Sequence, residues 1–525
     1  MKPNYQHQSV KRIAAIDLGT NSFHAVIVDV FPDGSFYTVD KLKEMVLLAE
    51  KGFGSSLSPA AMDRGIQALK KIKMLCDHQK AQRIMAYATS AIREAENGGE
   101  FIQRAIDEVG IKINAISGRL EAELIGYSIQ HGMELGSEPV LAMDIGGGSV
   151  EFILCNNERF FHLASKKIGV ARMAAAHVDN DPITPQETDT LRDVFRDQLQ
   201  DVAQAFAQHR SHTLIGSSGT MENIALMIAA RNNSRPNLSV NELSFSASEF
   251  FDFYDDVITM THSERSTLSG LDEKRIDLIA PGLVLVHYVL KTFSIKKVRI
   301  SSQALREGII LRHIRKEMDD IREMPKIENP RLRSVMELLF KYDWHEDHSR
   351  HVARLAEVIF DKFADDLGLN DRDRELLHYA CLLHDIGYFI SHRKHHKHAL
   401  YIIRHSELLG FKEDEIEMLA NIARYHRRST PKKRHSYFSN LPKEIQKRIT
   451  KLAAILRVAD GLDRSHYQNV RSVQIEKSKN AVEFMIETEA DPQLEIWGAM
   501  RKRTLFEEVT GKKLTIHSRK AMQTV

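Results

Sequence analysis

The sequence predicts a duplicated α/β protein that runs into an all-α, histidine-bearing module and ends in a small α+β tail. Three observations predict it. The stretches AAIDLGTNSFH at 14–24 and AMDIGGGSVEF at 142–152 share one plan: an apolar run closing on an aspartate, a glycine-containing turn, then a second strand-like run. Each copy is followed by a third strand-like stretch and then by helical periodicity. After residue 340 the apolar residues recur at helical spacing, and many of the 25 histidines fall there.

At 525 residues the chain is too long for one core. The expected domains are 1–134, 135–318, 319–468 and 469–525. With 43% hydrophobic and 27% charged residues, neither disorder nor a fibrous repeat is expected. A formal net charge of +2 gives no global signal for a polyanion partner, so any anion site must be local. Cys76, Cys155 and Cys381 are odd in number and far apart, which argues for a reducing compartment and against a disulfide framework. The start, MKPNYQHQSVKR, lacks the apolar core of a signal peptide, and the apolar stretch around 278–290 is too short to span a bilayer. A cytoplasmic location is expected.

In order along the chain, RIAAID ends a first strand at Asp17, LGTNS makes the turn, FHAVIVDV is a second strand, and PDG at 32–34 is a hairpin turn into SFYTVDKLKEMVLL. PAAMDRGIQALKKIKMLCDHQ is helical. RIMAYATS is a short strand, AIREAENGGEFIQRAIDEVG a single helix, KINAI a strand, and SGRLEAELIGYSIQHGM a helix opening behind Ser117. The second copy runs through residues 137–170 as strand, glycine turn, strand, hairpin, strand. SHTLIGSSGTMENIA and KKVRISSQALREGII are later strand-to-helix passages. IREMPKIENP at 321–330 is polar, carries two prolines and is expected to be a linker. In the tail, SVQIEK and AVEFMIE alternate like strands, LEIWGAMRKRTLFEEVTG is one helix, and a last strand follows. In both copies the glycine turn joins two strands, so these are not βαβ dinucleotide-binding units.

A tight turn after a strand presents consecutive backbone N–H groups. Glycine allows positive φ there and lets a bulky anion come close. Phosphate suits such a nest. An aspartate at the strand end, Asp17 or Asp144, would hold a Mg²⁺ ion against the phosphate oxygens. Thr20, Asn21, Ser22 and, in the second copy, Gly146, Gly147, Gly148 and Ser149 complete the two phosphate-binding turns. Gly216, Ser217 and Gly219, in GSSGT, open a helix whose N–H groups would bind a further phosphate.

AAIDLGTNSFH, ATSAIREA, ISGRLEAELI, AMDIGGGSVEF, GSSGT and SSQALREGII occur in an order that resembles the Ppx/GppA family of exopolyphosphatases and guanosine pentaphosphate phosphatases. The resemblance is close over roughly 12–310, and in overall length the chain is similar to the long members. It implies an actin-like ATPase fold of two ribonuclease-H-like domains with the active site in the cleft between them. A homodimer is also implied, with the C-terminal part helping to form a polyanion channel.

Release of a terminal phosphate needs charge neutralisation, an in-line nucleophile and a group that orients it. Glu121, in the first turn of a helix, and Glu151, two residues past the second glycine turn, are the candidate carboxylates. The resemblance assigns Glu121 as catalytic base and Glu151 as the second catalytic glutamate. It also places Arg93 near the phosphates, where a guanidinium would grip two oxygens. The family pattern Ser-Gly-x-Glu-Glu-Ala is here Ser117-Gly118-Arg119-Leu120-Glu121-Ala122, so Leu120 replaces the first glutamate and Glu121 keeps the second.

In the C-terminal module, His348 lies in phase with Val352, Leu355, Ile359 and Phe363. His384 lies in phase with Leu376, Ala380 and Leu383 and is followed by Asp385, and Asp460 lies in phase with Ile449, Leu452, Ala453 and Leu456. Buried carboxylates need partners, and a divalent transition metal would bind all four groups. The set resembles the HD-domain pattern. In many long exopolyphosphatases this domain has lost its ligands, whereas here the set is complete. His395, His396, His398 and His426 are candidates for a second metal. The basic runs at 391–399 and 424–435 would attract a polyanion, without a recognition fold for specific nucleic-acid binding.

These observations point to a Mg²⁺-dependent exopolyphosphatase that removes orthophosphate from the end of inorganic polyphosphate. The alternatives are a guanosine pentaphosphate 5′-phosphohydrolase, which the same site would serve, and a protein whose main activity lies in the HD-type module.

Overall fold

β1 (Lys11–Leu18), β2 (Ser22–Val30) and β3 (Phe36–Met45) are antiparallel neighbours, and β4 (Arg83–Ala88) and β5 (Ile113–Ala115) extend the sheet in parallel from β1, giving the order β3-β2-β1-β4-β5. The computed structural model describes residues 11–31, 34–49, 56–232, 240–317, 329–342 and 344–520. The second sheet repeats the plan. β6 (Val140–Ile145), β7 (Val150–Cys155) and β8 (Phe160–Lys166) are antiparallel, β9 (Thr213–Ser217) and β11 (Lys297–Ile300) run parallel to β6, and a short β10 (Ser244–Ser246) adds an antiparallel edge: β8-β7-β6-β9-β11-β10.

The duplication extends to register. Asp17 pairs with His24 across β1 and β2, and Asp144 pairs with Glu151 across β6 and β7. VLAMDI and VEFILC are buried along their whole length, which is why they read as nearly continuous apolar runs rather than as alternating ones. The helices Gly118–Gly132 and Leu305–Glu317 share one apolar cluster with residues of both sheets, including Ile13, Val26, Ile153 and Ile215. These two helices meet at backbone distance. A Cβ on Gly308 would collide with the Leu124 carbonyl oxygen.

The chain divides into two compact units, 1–330 and 331–525. The second unit is mostly helical up to Gly461, with the long helices Glu346–Leu367 and Lys443–Gly461. It closes with β12 (Val470–Lys477), β13 (Ala481–Thr488) and β14 (Lys513–Lys520). The expected boundary at 468/469 falls inside this unit, where Gly461 packs against Gly498 and Ala499 without room for a side chain. The 318/319 boundary, most of the expected linker, and Pro32 and Asp33 of the hairpin turn lie outside the described residues.

Two helices expected to be single are each broken. Residues 91–110 form Ser90–Glu94 and Gly98–Val109, separated by an extended Ala95. The chain restarts at Gly98 because only a glycine fits against the Ile92 carbonyl. The tail helix is Gln493–Lys502 and Thr504–Thr510, interrupted at Arg503. The three cysteines are free and buried. No helix among the described residues is long and apolar enough to cross a membrane.

Candidate functional site

The two Asp-headed turns stand against one another on the walls of a cavity of about 340 Å³, within the ~300–1,000 Å³ typical of small-ligand pockets. A Cβ on Gly147 would lie 3.3 Å from both Thr20 Cβ and Asn21 Nδ2. Both turns close with the same hydrogen bond: the Gly19 N–H donates to Ser22 O at 3.2 Å, and the Gly146 N–H to Ser149 O at 3.0 Å.

Each turn is also held from behind by the segment that leaves the third strand of its own copy. The carbonyls of Thr20 and Asn21 accept from Val46, Leu47 and Leu48. Those of Gly146 and Gly147 accept from Val170, Ala171 and Arg172, and Gly148 O accepts from Arg172 Nε at 2.9 Å. In a trans peptide the N–H points opposite its C=O. The N–H groups of Asn21, Ser22, Gly147, Gly148 and Ser149 are therefore directed away from the pinning segments, the arrangement of an anion-binding nest.

The glycines serve close approach rather than unusual dihedrals. Gly19, Gly146 and Gly147 are not among the residues at positive φ, contrary to the expectation from sequence. A side chain on Gly146 would stand 2.9 Å from Ser149 O. One on Gly169, at the start of the pinning helix, would stand 2.5 Å from the backbone of Gly147 and Gly148.

Five carboxylates line the cavity, Asp17, Glu121, Asp144, Glu151 and Glu222, and four of them stand at or beside the two turns. Burial pushes Asp17 up to about 7, with Asp144 and Glu307 adding to the rise and Arg306 opposing it. Glu121 is pushed up to about 7, first by burial and then by Asp17 and Asp144, against the Arg93 guanidinium. Asp144 is raised by burial. Glu151, 1% exposed, is raised well above the carboxylate range by burial and then by Glu121. It accepts from Ser165 Oγ at 2.7 Å. So much negative charge out of water calls for a counter-ion, and an oxygen-only donor set suits a hard divalent cation.

The remaining expected residues divide. Thr20, Asn21, Ser22, Ser149, Ser217 and Gly219 line the cavity. Gly216 does not: it lies in β9, where a Cβ would collide with the Met221 side chain. Arg93 stands behind Glu121 rather than beside the cavity, its Nη1 donating to Glu121 Oε2 at 2.9 Å and to Ile116 O at 2.8 Å.

Sequence reasoning missed the cations of the site. Arg306, Arg275 and Lys43 all line the cavity, as do His24 and Glu222. Arg306 Nη1 lies 2.6 Å from His24 Nδ1. A guanidinium can only donate, so Nδ1 is the acceptor, and Nε2 carries the hydrogen that goes to Ser22 Oγ at 2.7 Å. Burial and then Arg306 drive His24 down to about 3, so it stays neutral. Arg275 lies over Gly219, where a Cβ would displace its guanidinium, and Nη1 donates to Thr220 Oγ1 at 3.3 Å. The distance of Arg306 and Arg275 along the chain from either Asp-headed turn left no local signal. The register pair Asp17–His24 could have pointed to His24.

In the second unit the four residues expected to bind a metal converge. His348 Nε2 lies 3.8 Å from Asp385 Oδ2 and 3.6 Å from Asp460 Oδ1. His384 Nε2 lies 3.5 Å and 3.9 Å from the same two oxygens. All four residues are buried. Two partners were not foreseen: Asp463 Oδ2 at 2.7 Å from His348 Nδ1, and Lys502, whose Nζ pairs with Asp460 Oδ2. The basic runs are mixed. Ser391–Lys394 and Lys432–Arg434 are exposed, but His395, His396 and His426 of the same runs are buried, and His398 is half-buried.

Comparison with known proteins adds the family. Residues 26–317 match the Ppx/GppA phosphatase family, and residues 331–496 match Ppx/GppA phosphatase domain III. Among solved structures, the chain is similar to an exopolyphosphatase from Cytophaga hutchinsonii (31% identity, TM-score 0.55, 58% of this chain and 98% of that one). It is also similar to the Aquifex aeolicus member of the Ppx/GppA family (26% identity, TM-score 0.51, 59% of this chain and 99% of that one).

Proposed function

Because this chain belongs to the Ppx/GppA phosphatase family and hydrolyses phosphoanhydride bonds, we propose that it is an exopolyphosphatase that removes orthophosphate from the end of inorganic polyphosphate. We take the two matched sheets as ribonuclease-H-like halves of an actin-like ATPase fold. The observation that carries this reading is the pair of pinned turns facing one another across a cavity lined by five carboxylates, three of them buried, and three cationic side chains.

In this reading the turn N–H groups at 21–22 and 147–149 hold the oxygens of adjacent phosphates, and Arg306, Arg275 and Lys43 balance their charge. Asp17 and Asp144 would hold Mg²⁺, which when bound neutralises charge on the phosphate oxygens. Glu121, poised by burial near neutrality, takes a proton from the attacking water as its oxygen bonds to the terminal phosphorus and the bridging P–O bond breaks. Arg93 occupies one Glu121 oxygen and aims the other. Glu151, fixed by Ser165, would assist at the metal or the water.

The test is orthophosphate release from long-chain polyphosphate with Mg²⁺, wild type beside Glu121→Gln. Release by the wild type that falls by ~10²–10⁴ in the variant is expected for a lost general base. No release from polyphosphate, with release from guanosine pentaphosphate, would move the substrate to the nucleotide, the alternative that the same site serves.

We also take the helical part of residues 331–525 as HD-type, with His348, His384, Asp385 and Asp460 as the set that would hold one divalent transition-metal ion. Convergence of their Nε2 and carboxylate oxygens favours this.

A further inference from the structure

We propose that the second unit carries a binding site for a nucleoside phosphate, a ligand with an aromatic base and more than one negative charge, in a cavity walled by the two basic runs. None of His348, His384, Asp385 and Asp460 lines this cavity.

The cavity encloses about 600 Å³, within the range of small-ligand pockets. Helix His395–Arg404 supplies one wall. Lys397, Leu400, Tyr401 and Arg404 stand at i, i+3, i+4 and i+7, so they share one face of that helix. The other wall comes from the end of helix Glu413–Arg424, at Arg424, and from the segment after it, through Arg434, His435 and Tyr437. Two contacts fix that segment. The Tyr425 hydroxyl oxygen lies 2.8 Å from His435 Nδ1, and Tyr437 O accepts from Asn421 Nδ2 at 3.0 Å.

No aspartate or glutamate lines the cavity. Arg404 is neutralised, its Nε and Nη2 donating to Glu417 Oε1 at 2.8 and 2.5 Å. Lys397, Arg424 and Arg434 are not: none of them forms an ion pair among the described residues. Burial holds His435 below its ordinary value, and the charges that bear on it next, Arg424, Arg434, Lys432 and Lys397, are all cations. An ordinary solvated face intersperses both signs of charge. Three unmatched cations around one concavity call for an anion, and their number suits more than one phosphate charge.

Charge alone would suit any polyanion, and the tyrosines narrow the choice. Tyr401 is 61% exposed and Tyr437 47% exposed, so two large rings stand uncovered beside the cations. The Arg404 guanidinium lies over the Tyr437 ring at 4.1 Å, and Glu417 holds it there. A flat base stacks on tyrosine rings and guanidinium planes while its phosphates meet lysine and arginine. An inorganic phosphate chain has no face to offer a tyrosine. A base joined to phosphates uses both features of the cavity.

The experiment is isothermal titration calorimetry of ADP and of GDP into the full chain carrying Glu121→Gln. It is run in EDTA, so that the carboxylates of the first unit hold no metal for the nucleotide's phosphates. One site per chain is expected for at least one of the two nucleotides. Tyr401→Ala and Tyr437→Ala should each raise Kd roughly tenfold through the loss of a stacking face, and the pair Arg424→Gln and Arg434→Gln should raise it at least as much. Tyr401 and Arg434 are exposed, so their variants are expected to keep the wild-type melting temperature and to report on binding alone. Tripolyphosphate, which has the charge but no ring, should displace the nucleotide ~tenfold less well than unlabelled nucleotide does. Equal displacement by tripolyphosphate would overturn the nucleoside assignment. No binding of either nucleotide, or binding that none of these substitutions weakens, would overturn the site. Tighter binding of a 5′-phosphorylated oligoadenylate would keep the site and overturn the free nucleotide as its source.

Discussion

In the proposed mechanism Glu121 and Arg93 form the pair on which the chemistry turns. The ordinary glutamate value of 4.5 rises to about 7 at Glu121, chiefly through burial, with Arg93 opposing the rise. A base must be ionised, so kcat/KM should fall as pH drops through about 7 rather than through 4.5. Arg93→Met removes the charge that favours the carboxylate, so the acid limb should move to higher pH by roughly one unit or more, and a pH profile of polyphosphate hydrolysis reads this directly. An unmoved limb would detach Glu121 from the titration. His24 is driven down to about 3 and contributes no limb of its own between pH 5 and 9.

The turns are elements whose stiffness comes from what lies behind them. Gly169→Ala puts a methyl group 2.5 Å from the backbone of Gly147 and Gly148, and that backbone has no rotamer with which to yield. We expect a melting temperature lowered by an amount equivalent to ~1–3 kcal/mol and kcat/KM lowered at least tenfold, checked by thermal unfolding and steady-state kinetics. A stability loss without a kinetic one would mean that the turn tolerates displacement. How much was legible in the sequence divides at this scale. Asp17, Asp144 and their turns were legible because a strand end and a turn are neighbours in the chain. Arg306 and Arg275 were not, because they reach the cavity from elements far along the chain from either turn, and Lys43 was not, because only the pairing of β3 with β2 sets it opposite His24. The break at Ala95 carried a signal, the Asn97-Gly98-Gly99 run that follows it, whereas the break at Arg503 was hidden because the propensity on both sides favours helix. In the second unit helical phase exposed His348, His384 and Asp460. It could not show that His395 and His426, placed at helix ends, point inward from otherwise exposed basic runs.

At the scale of the whole chain, the two compact units are expected to answer separately to perturbation. Arg331, 0% exposed, donates to Glu415 at 2.8 Å and to Gly410 O at 2.9 Å and lies over the Phe411 ring at 3.9 Å. Arg331→Met leaves Glu415 with Arg372 and the Lys412 N–H on its side-chain oxygens, and breaking such a buried pair costs about 3–5 kcal/mol. Calorimetry should show two transitions, with the lower or the upper shifted down by this substitution and the other unmoved. Polyphosphate hydrolysis at 25 °C should be retained. A single transition that moves as a whole would mean that the units unfold together.

The matched register of the two sheets bears on a problem of orientation. A linear polyphosphate reads the same from either end, and a backbone duplicated down to the hydrogen bond inside each turn has a nearly palindromic grip to offer it. Such a grip alone could not tell the end that is cut from the chain that is kept. The equivalence fails across this register position: opposite Asp17 stands a neutral histidine that carries Arg306, and opposite Asp144 stands a buried acid tied to Ser165. That departure from self-similarity gives the groove a polarity, a cationic pole and an acidic pole, and with it, for the proposed substrate, a direction in which a featureless polymer would be consumed.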